Sequence, residues 1–429
     1  MVMQSHGGTI AAKNAGAKAV ELLLSGPAGG LVGAQYQGNA SGVPRMMSFD
    51  MGGTSTDVAL IDGEIQLTSE AEIAGYPVAV SMVDMHTIGA GGGSIAWLDE
   101  GGMLQVGPQS AGADPGPACY GRGGHLPTVT DANLILGRLP METSLGGHLA
   151  LDFAAAQTAV AGLAREMGIE TETAAAGILQ VANELMAQAL RVISVQRGHD
   201  PREFALLSFG GAGGLQVCEL AERLGMKHAI VPLHGGVLSA LGMLVAPVAR
   251  QRSQTRIQIL SADSMAGLEA DFQRLENSLR TEMREEGAAE VQLERSVDLR
   301  YQGQSSTLSL PWLEHAEHLT EALHQRHQDQ FGHALAMPVE LVNLRVRAEV
   351  TSAPFHLPVE HAAHSARPLS TTSVFGIEQT VPVYARSGLS AQQRLNGPAI
   401  IAEEVSTTWL APGWNAVNDT AGNLILRQA

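Results

Sequence analysis

Between Met46 and Glu64 the chain reads MMSFDMGGTSTDVALIDGE, which places one carboxylate, two glycines, three hydroxyls and a second carboxylate in close succession. Asp50 closes a short apolar run, and a carboxylate at the end of a buried strand is placed to hold a magnesium ion through its waters. Gly52 and Gly53 let the backbone turn sharply and present N–H groups to an anion, and Thr54, Ser55 and Thr56 add hydroxyl donors before Asp57. The chemistry this implies is phosphate and metal binding in a nucleotide site. A plain glycine hairpin with a solvated Asp is the competing reading. Asp-x-Gly-Gly-Thr-x-Thr-Asp between two strands is more specific than a diglycine, and it favours the nucleotide.

A second candidate is Asp84-x-His86, where alternation along a strand puts a carboxylate and an imidazole on one side. Such a pair can bind a divalent metal or act as acid and base. A buried His oriented by its Asp neighbour is the competing reading. Asp114, Cys119, His125 and Asp131 are further candidates, although Cys119 also suits a small buried hydrophobe and Asp131 suits the cap of a helix starting near Ala132.

These residues need elements to position them. Apolar residues up to Asp50, the alternating Val58 to Ile61 and the Asp62-Gly63 turn signal predict strand, tight loop, strand and hairpin. Upstream, Ala11 to Leu24 predicts a helix that Gly26-Pro27 breaks, with Gly29-Gly30 opening another through Ala34, for close packing or for a helix N-terminus at a cleft. Gly75 to Gly124 has few regular runs and reads as a functional loop region. Helical spacing returns at Phe153 to Met167 and Thr173 to Arg197, where Asn183 and Glu184 face a cleft or form a solvated flank. Phe204 to Phe209 predicts a strand, GGAGG at Gly210 to Gly214 a loop, and Leu215 to Leu224 a helix; alone, that loop also suits ordinary strand-to-helix packing. A short strand at Ala229 to Val231 and an apolar helix ending at Val245 follow.

Past Pro247 the chain turns polar and then amphipathic from Ser264 to Gly287, so a domain boundary is expected near residue 250, giving domains 1–250 and 251–429. The later strands include Val297 to Tyr301, Leu341 to Val350 and Ala399 to Leu410. His315, His318, His324, His327 and His333 lack nearby Cys and a His-Glu-x-x-His pattern, and read as a solvated face.

Composition bounds the classes. A chain of 429 residues is long enough for two or three domains. A net charge of −17 with only 16% charged residues argues against a broad nucleic-acid-binding face. Two cysteines far apart in sequence argue against a disulfide framework and fit reduced thiols in a cytoplasmic protein. No long apolar run predicts a membrane span.

The Asp50 loop resembles the second phosphate loop of the actin-like ATPase fold. SGPAGG at Ser25 to Gly30, MVDMHTIGAGGGSIAW at Met82 to Trp97 and SAGADPGPACYGRGG at Ser110 to Gly124 narrow the resemblance to the hydantoinase A/oxoprolinase family. It resumes in RYQGQ at Arg300, VELVNLRVRA at Val339 and GPAIIAEEVSTTWLAPGW at Gly397. The resemblance implies an α/β fold, with an actin-like, ribonuclease H-like ATPase domain at 1–250 followed by a mixed α+β domain at 251–429. It also implies ATP with Mg2+, and a second divalent metal at Asp84 and His86. Asp50, with Asp84 and His86, would be catalytic. The phosphates would lie at Gly52, Gly53, Thr54, Ser55, Thr56 and Asp57, and adenosine at Gly210, Gly211, Gly213 and Gly214. The family more often has Pro and His where this chain has Gly214 and Gln216. The implied activity is ATP-dependent ring opening of a cyclic amide through a phosphorylated carbonyl, with a hydantoinase B-type subunit as partner in an oligomer. A ketone carboxylase subunit and a non-catalytic actin-like module are the alternatives. Family members carry an earlier Asp-x-Gly-Gly-Thr loop that does not occur before Asp50, so half of a nucleotide cleft and weak ATP turnover by this chain alone are expected.

Overall fold

The computed structural model describes residues 1–68, 71–73, 75–78, 80–141, 150–288, 290–350, 355, 357–359 and 361–429. The chain divides into two compact units. One holds Gly29–Gln66, Val83–Leu244 and Leu357–Ala429, and the other holds Met1–Ala28, Leu67–Met82 and Val245–His356. The smaller unit resumes at Val245. The chain beyond it does not form one domain, however, because its last segment, from Leu357, returns to the unit that carries Asp50.

The larger unit is built on β1 (Arg45–Met51), β2 (Thr56–Asp62), β3 (Met85–Ile88), β4 (Ala205–Phe209), β5 (His228–Val231), β6 (Arg394–Asn396), β7 (Trp414–Asn418) and β8 (Leu424–Gln428). Among the described residues they form a mixed sheet in the order β3-β2-β1-β4-β5-β8-β7-β6, with Glu64–Ile65 added beside β2. β1 and β2 are an antiparallel hairpin, whereas β1, β4 and β5 run parallel. The parallel strands are apolar almost throughout, as strands covered on both faces must be. Met46, Met47, Phe49, Leu206 and Leu207 are completely buried.

Helices supply that cover: α1 (Ser25–Ala40), α2 (Val129–Ile135), α3 (Phe153–Met167), α4 (Thr171–Ile193), α5 (Val217–Arg223) and α6 (Leu238–Val245). α4 buries Ile178, Ala182, Met186, Leu190 and Ile193 at helical spacing. Gly26-Pro27 does not interrupt a helix. Both residues lie in the first turn of α1, where proline's missing N–H is harmless and its φ suits the helix. Gly29 and Gly33 make close packing with α6: a Cβ at Gly29 would lie 2.8 Å from the Ser239 carbonyl, and one at Gly33 2.6 Å from that of Leu238. Ala11 to Leu24 is less regular than its composition predicts, being a short helix and a 3-10 stretch kinked at Lys18. The stretch from Gly75 to Gly124 is more regular, since Ser94–Leu98 and Leu104–Ser110 pair as a hairpin.

The smaller unit is a two-layer α/β structure. Its antiparallel sheet has the order Ala249–Ile259, Val339–Val350, Val291–Tyr301, Leu308–Pro311. Helices Met265–Glu285 and Ala316–Phe331 bury Leu268, Phe272, Leu279, Leu319 and Leu323 against Val297, Leu299, Leu344 and Val346 of the sheet. The histidines of the second helix are not one solvated face. His327 is buried with Nδ1 2.6 Å from the His333 carbonyl, and the Nδ1 of His324 lies 2.6 Å from the buried Tyr301 hydroxyl. His315, His318 and His333 are exposed.

Candidate active site at the Asp50 and Gly210 loops

β1 and β4 are parallel neighbours, so the loops leaving their carboxyl ends emerge side by side, the usual position for ligands in open α/β sheets. Asp50 is in register with Phe209 on β4 and with Asp57 across the hairpin. The two loops are joined through backbone, the Ala212 N–H donating to the Met51 carbonyl at 3.2 Å. Gly210 has φ +80°, and a Cβ there would lie 2.5 Å from Asp50 Oδ1, so both the turn and the close approach require glycine.

Burial raises the Asp50 carboxyl to about 7, and the negative charge of Asp57 adds to the effect. Burial also raises Asp57, opposed by the Thr87 hydroxyl that donates to its Oδ1 at 2.7 Å. Among the described residues neither carboxylate has an ion pair. Two adjacent carboxylates with no cation paired to either suit a hard divalent cation such as magnesium, which needs only one or two protein carboxylates when phosphate oxygens complete its shell. The donor set therefore fits the ion.

Gly52 to Ser55 form a closed turn, the Gly52 N–H donating to the Ser55 carbonyl at 3.1 Å. A Cβ on Gly53 would meet nothing within 4 Å, and Gly53 and Thr54 are exposed, as an anion-binding loop requires. The loop is backed by another glycine run. Gly92 N–H donates to the Gly52 carbonyl at 2.9 Å and Gly93 N–H to the Gly53 carbonyl at 2.6 Å, and a Cβ at Gly91 would lie 2.8 Å from Ser55 N.

The structure does not bring every expected residue to this face. Thr56 is completely buried and gives its hydroxyl to the Ala90 carbonyl, so it braces the loop from behind rather than meeting a phosphate. Gly213 and Gly214 are buried as well: a Cβ on Gly214 would lie 2.6 Å from the Thr407 carbonyl and one on Gly213 2.7 Å from Ser208 Oγ. Of the glycines in the GGAGG loop, only Gly210 and Gly211 retain exposure.

Asp84, immediately before β3, is held through both oxygens by Arg197, with Nη2 to Oδ1 at 3.1 Å. A metal at Asp84 would have to displace that guanidinium. His86, on β3, is half-buried opposite Val58. Among the described residues no cluster of three or more His, Cys, Asp or Glu side chains is placed to hold a metal. Asp131 is a buried cap, accepting from Thr128 N and Oγ1 and from Ala118 N and Cys119 N at 2.7 to 3.2 Å. Burial, with Asp131 beside it, raises the Cys119 thiol far above its usual range, which makes it inert at neutral pH. Asp114 and His125 are exposed. Asn183 is neither at an open cleft nor solvated but completely buried in α4, whereas Glu184 pairs with Arg191 and Arg223.

Arg197 and Thr87 were not legible as site-shaping residues, since each acts on a carboxylate distant in sequence.

Residues 1–252 match the family model described as hydantoinase/oxoprolinase. The chain is 36% identical to the caprolactamase subunit alpha of Pseudomonas jessenii, over 97% of this chain and 63% of that protein. The solved structure of the ATP-dependent caprolactamase from Pseudomonas jessenii superposes with a TM-score of 0.84 at 33% identity, covering 100% of this chain and 65% of the other. A nucleotide-free acetone carboxylase, solved in work on ATP-dependent acetone carboxylation, gives 0.79 at 26% identity, covering 100% and 64%. The chain thus spans less than two thirds of the length of each. Among the described residues no helix is long and apolar enough to cross a membrane.

Proposed function

Since the chain belongs to the hydantoinase/oxoprolinase family, we propose that it is the ATP-binding part of an enzyme that opens a cyclic amide, working with a hydantoinase B-type subunit in an oligomer. The observation that carries this reading is the meeting of Asp50 with Gly210 at the carboxyl ends of two parallel strands. We read the arrangement as one half of an actin-like nucleotide cleft.

An amide oxygen is a poor leaving group, and moving the terminal phosphoryl group of ATP onto it makes it a good one, so that water can attack the carbon and phosphate can depart. In this scheme the N–H groups of the exposed Gly53 and Thr54 and the Thr54 and Ser55 hydroxyls cradle the β- and γ-phosphates. Asp50 and Asp57 would hold magnesium, which supplies charge compensation for the transferring phosphoryl group when bound. Gly210 and Gly211 leave room for the nucleoside against β4. Asp84 and His86 could hold a metal or pass a proton only with Arg197 displaced; the more economical role for Asp84 is to anchor the start of β3.

The test is phosphate release by the chain with its B-type partner, ATP, magnesium and a panel of lactams and hydantoins. Lactam-dependent release that disappears in Asp50→Asn is the expected result, and release that ignores the lactam would remove the hydrolase reading. The likeness to acetone carboxylase favours one second reading, carboxylation of a ketone. Phosphate release that needs bicarbonate and a ketone would select it.

A further inference from the structure

We propose that the imidazole of His234 stacks on the base of the nucleotide and so fixes its nucleoside end. His234 extends the nucleotide site proposed at the Asp50 and Gly210 loops to a third loop, and its role rests on that reading.

β1, β4 and β5 run parallel and side by side, so three loops leave the same edge of the sheet. The first carries Asp50 and the Gly52 to Ser55 turn, the second carries Gly210 and Gly211, and the third runs from the end of β5 through His234, Gly235 and Gly236. Backbone ties the third loop to the second, the Gly210 N–H donating to the Gly235 carbonyl at 3.1 Å. The Val405 carbonyl stands against both: a Cβ at Gly211 would lie 3.4 Å from it and one at Gly236 2.6 Å. The His234 side chain therefore begins one residue from a direct contact with Gly210, and it is exposed. Two strand spacings, about 10 Å, separate β1 from β5. With the phosphates over β1 and the sugar over β4, the base falls at β5.

Local physics does not account for a histidine at this position. Its φ is +60° and its ψ +32°, a left-handed conformation that glycine adopts freely and that a residue with a Cβ resists. His234 also caps the single 3-10 turn Gly235–Val237, its carbonyl accepting the Val237 N–H at 2.9 Å. Ser, Thr, Asp or Asn would add a side-chain bond to such a turn, and His234 makes none. Among the described residues the only other non-glycine at positive φ is Gln392, whose N–H is held by the Asn418 carbonyl at 2.7 Å. Nor does the His234 ring tie parts of the fold together, since among the described residues it has no hydrogen bond, ion pair or ring contact. A strained residue with an exposed ring, at the edge of the sheet where a ligand is expected, is a local violation of the kind that function maintains.

The chemistry of the ring selects the part of the ligand it meets. Histidine is one of the side chains on whose planar face nucleic-acid bases stack, and every base has a π-face to offer. The backbone beneath it is Gly210, Gly211 and Gly236, where no side chain competes with the nucleoside for space. The contact adds affinity for a base without choosing strongly among bases. The two ends of the nucleotide are then held by different strands, the phosphates at β1 and the base at β5.

Calorimetric titration of the whole chain with magnesium ATP and with magnesium tripolyphosphate, which has the phosphates and no base, tests the assignment. His234→Gly relaxes the backbone, and His234→Asn keeps a residue that tolerates positive φ while losing the ring. Each should weaken ATP binding roughly tenfold, on the scale of one base stacked on one aromatic ring, and leave tripolyphosphate binding as it was. The melting temperature of His234→Gly should hold or rise, which separates a lost contact from a damaged fold. With the B-type partner present, the same loss should appear as a higher KM for ATP. Wild-type ATP affinity in the variants, an equal loss for tripolyphosphate, equal wild-type affinity for the two probes, or no ATP binding at all would each overturn the assignment. The two ideas fail separately: lactam-dependent phosphate release with an unaltered KM for ATP in His234→Gly removes the stacking and keeps the enzyme, while ATP binding that needs His234 without lactam-dependent release does the reverse.

Discussion

Asp50 and Asp84 both border strands of one sheet and both adjoin glycine-rich sequence, yet their surroundings are opposite. Asp84 has its charge balanced by a two-pronged guanidinium, which is how a carboxylate is made part of the scaffold. Asp50 is equally fixed in position, by strand register and by Gly210 against its oxygen, but the nearest charge, on Asp57, has its own sign. A carboxylate held in place and left without a cation is prepared for one that arrives with the ligand. The difference teaches that a neighbouring side chain, rather than the residue type or the motif, separates a candidate site from a structural pair.

The largest effect that could break this contrast is on turnover. Asp50→Asn keeps the side-chain volume, and with partner and lactam present it should lower magnesium-dependent phosphate release by roughly 10²–10³-fold, the loss typical of one preorganised electrostatic group. Metal-free nucleotide binding, followed by calorimetry, should hardly change. An unaltered rate would make Asp50 as structural as Asp84.

Next in size is Gly91→Ala. Its Cβ would press into the Gly53–Ser55 backbone at 2.8 Å, and overpacking of that kind costs about 1–3 kcal/mol in denaturant titration. Asp84→Asn should follow, with a loss of about 1 kcal/mol, because the Arg197 pair is partly exposed and one amide contact survives. Per folded molecule its turnover should stay near wild type. A thousandfold fall with an unchanged melting temperature would move Asp84 into the chemistry.

The pH dependence sharpens the contrast further. The folded Asp50 carboxyl is raised to about 7 from an ordinary value near 3.8, so its protonated form is the one the fold favours. Its contribution to stability is therefore fully present below about pH 3.8 and is lost as pH rises through about 7. Relative to wild type, Asp50→Asn should melt at a higher temperature at pH 8 and at a similar one near pH 4, and magnesium should narrow the gap. The smallest effect is expected at Gly53→Ala, within about 0.5 kcal/mol in stability, since its Cβ points into open space. Any weakening of nucleotide binding there would report directly on backbone contact with phosphate.

What could be read in advance followed from local physics. The β1 hairpin was legible because an alternating strand, a diglycine and Asp62-Gly63 each predict their own geometry, and α3 and α4 were legible from apolar spacing. The inward turn of Thr56 was not, because the acceptor that draws it in, Ala90, belongs to another segment. The buried state of Gly214 likewise depends on Thr407 and Thr408, nearly 200 residues downstream, and that of Gly213 on Phe49 and Met51 of β1. Gly26-Pro27 misled because the pair breaks a helix interior but suits a helix start. Asp84 misled because Arg197 lies 113 residues away in sequence.

The path of the chain through the central sheet has a consequence for biosynthesis. β5 ends at Val231, and its outer partner β8 begins only at Leu424. At a translation rate of about 5–20 residues per second, roughly 10–40 s separate the two. Throughout that interval β5, with Ala229, Ile230 and Val231 buried in the finished fold, has an open hydrogen-bonding edge, the kind of surface on which chains pair with one another. Nascent copies on one message would be most exposed to such pairing, so yield in a cell should depend on chaperone capacity and slow growth more than the stability of the finished fold would suggest.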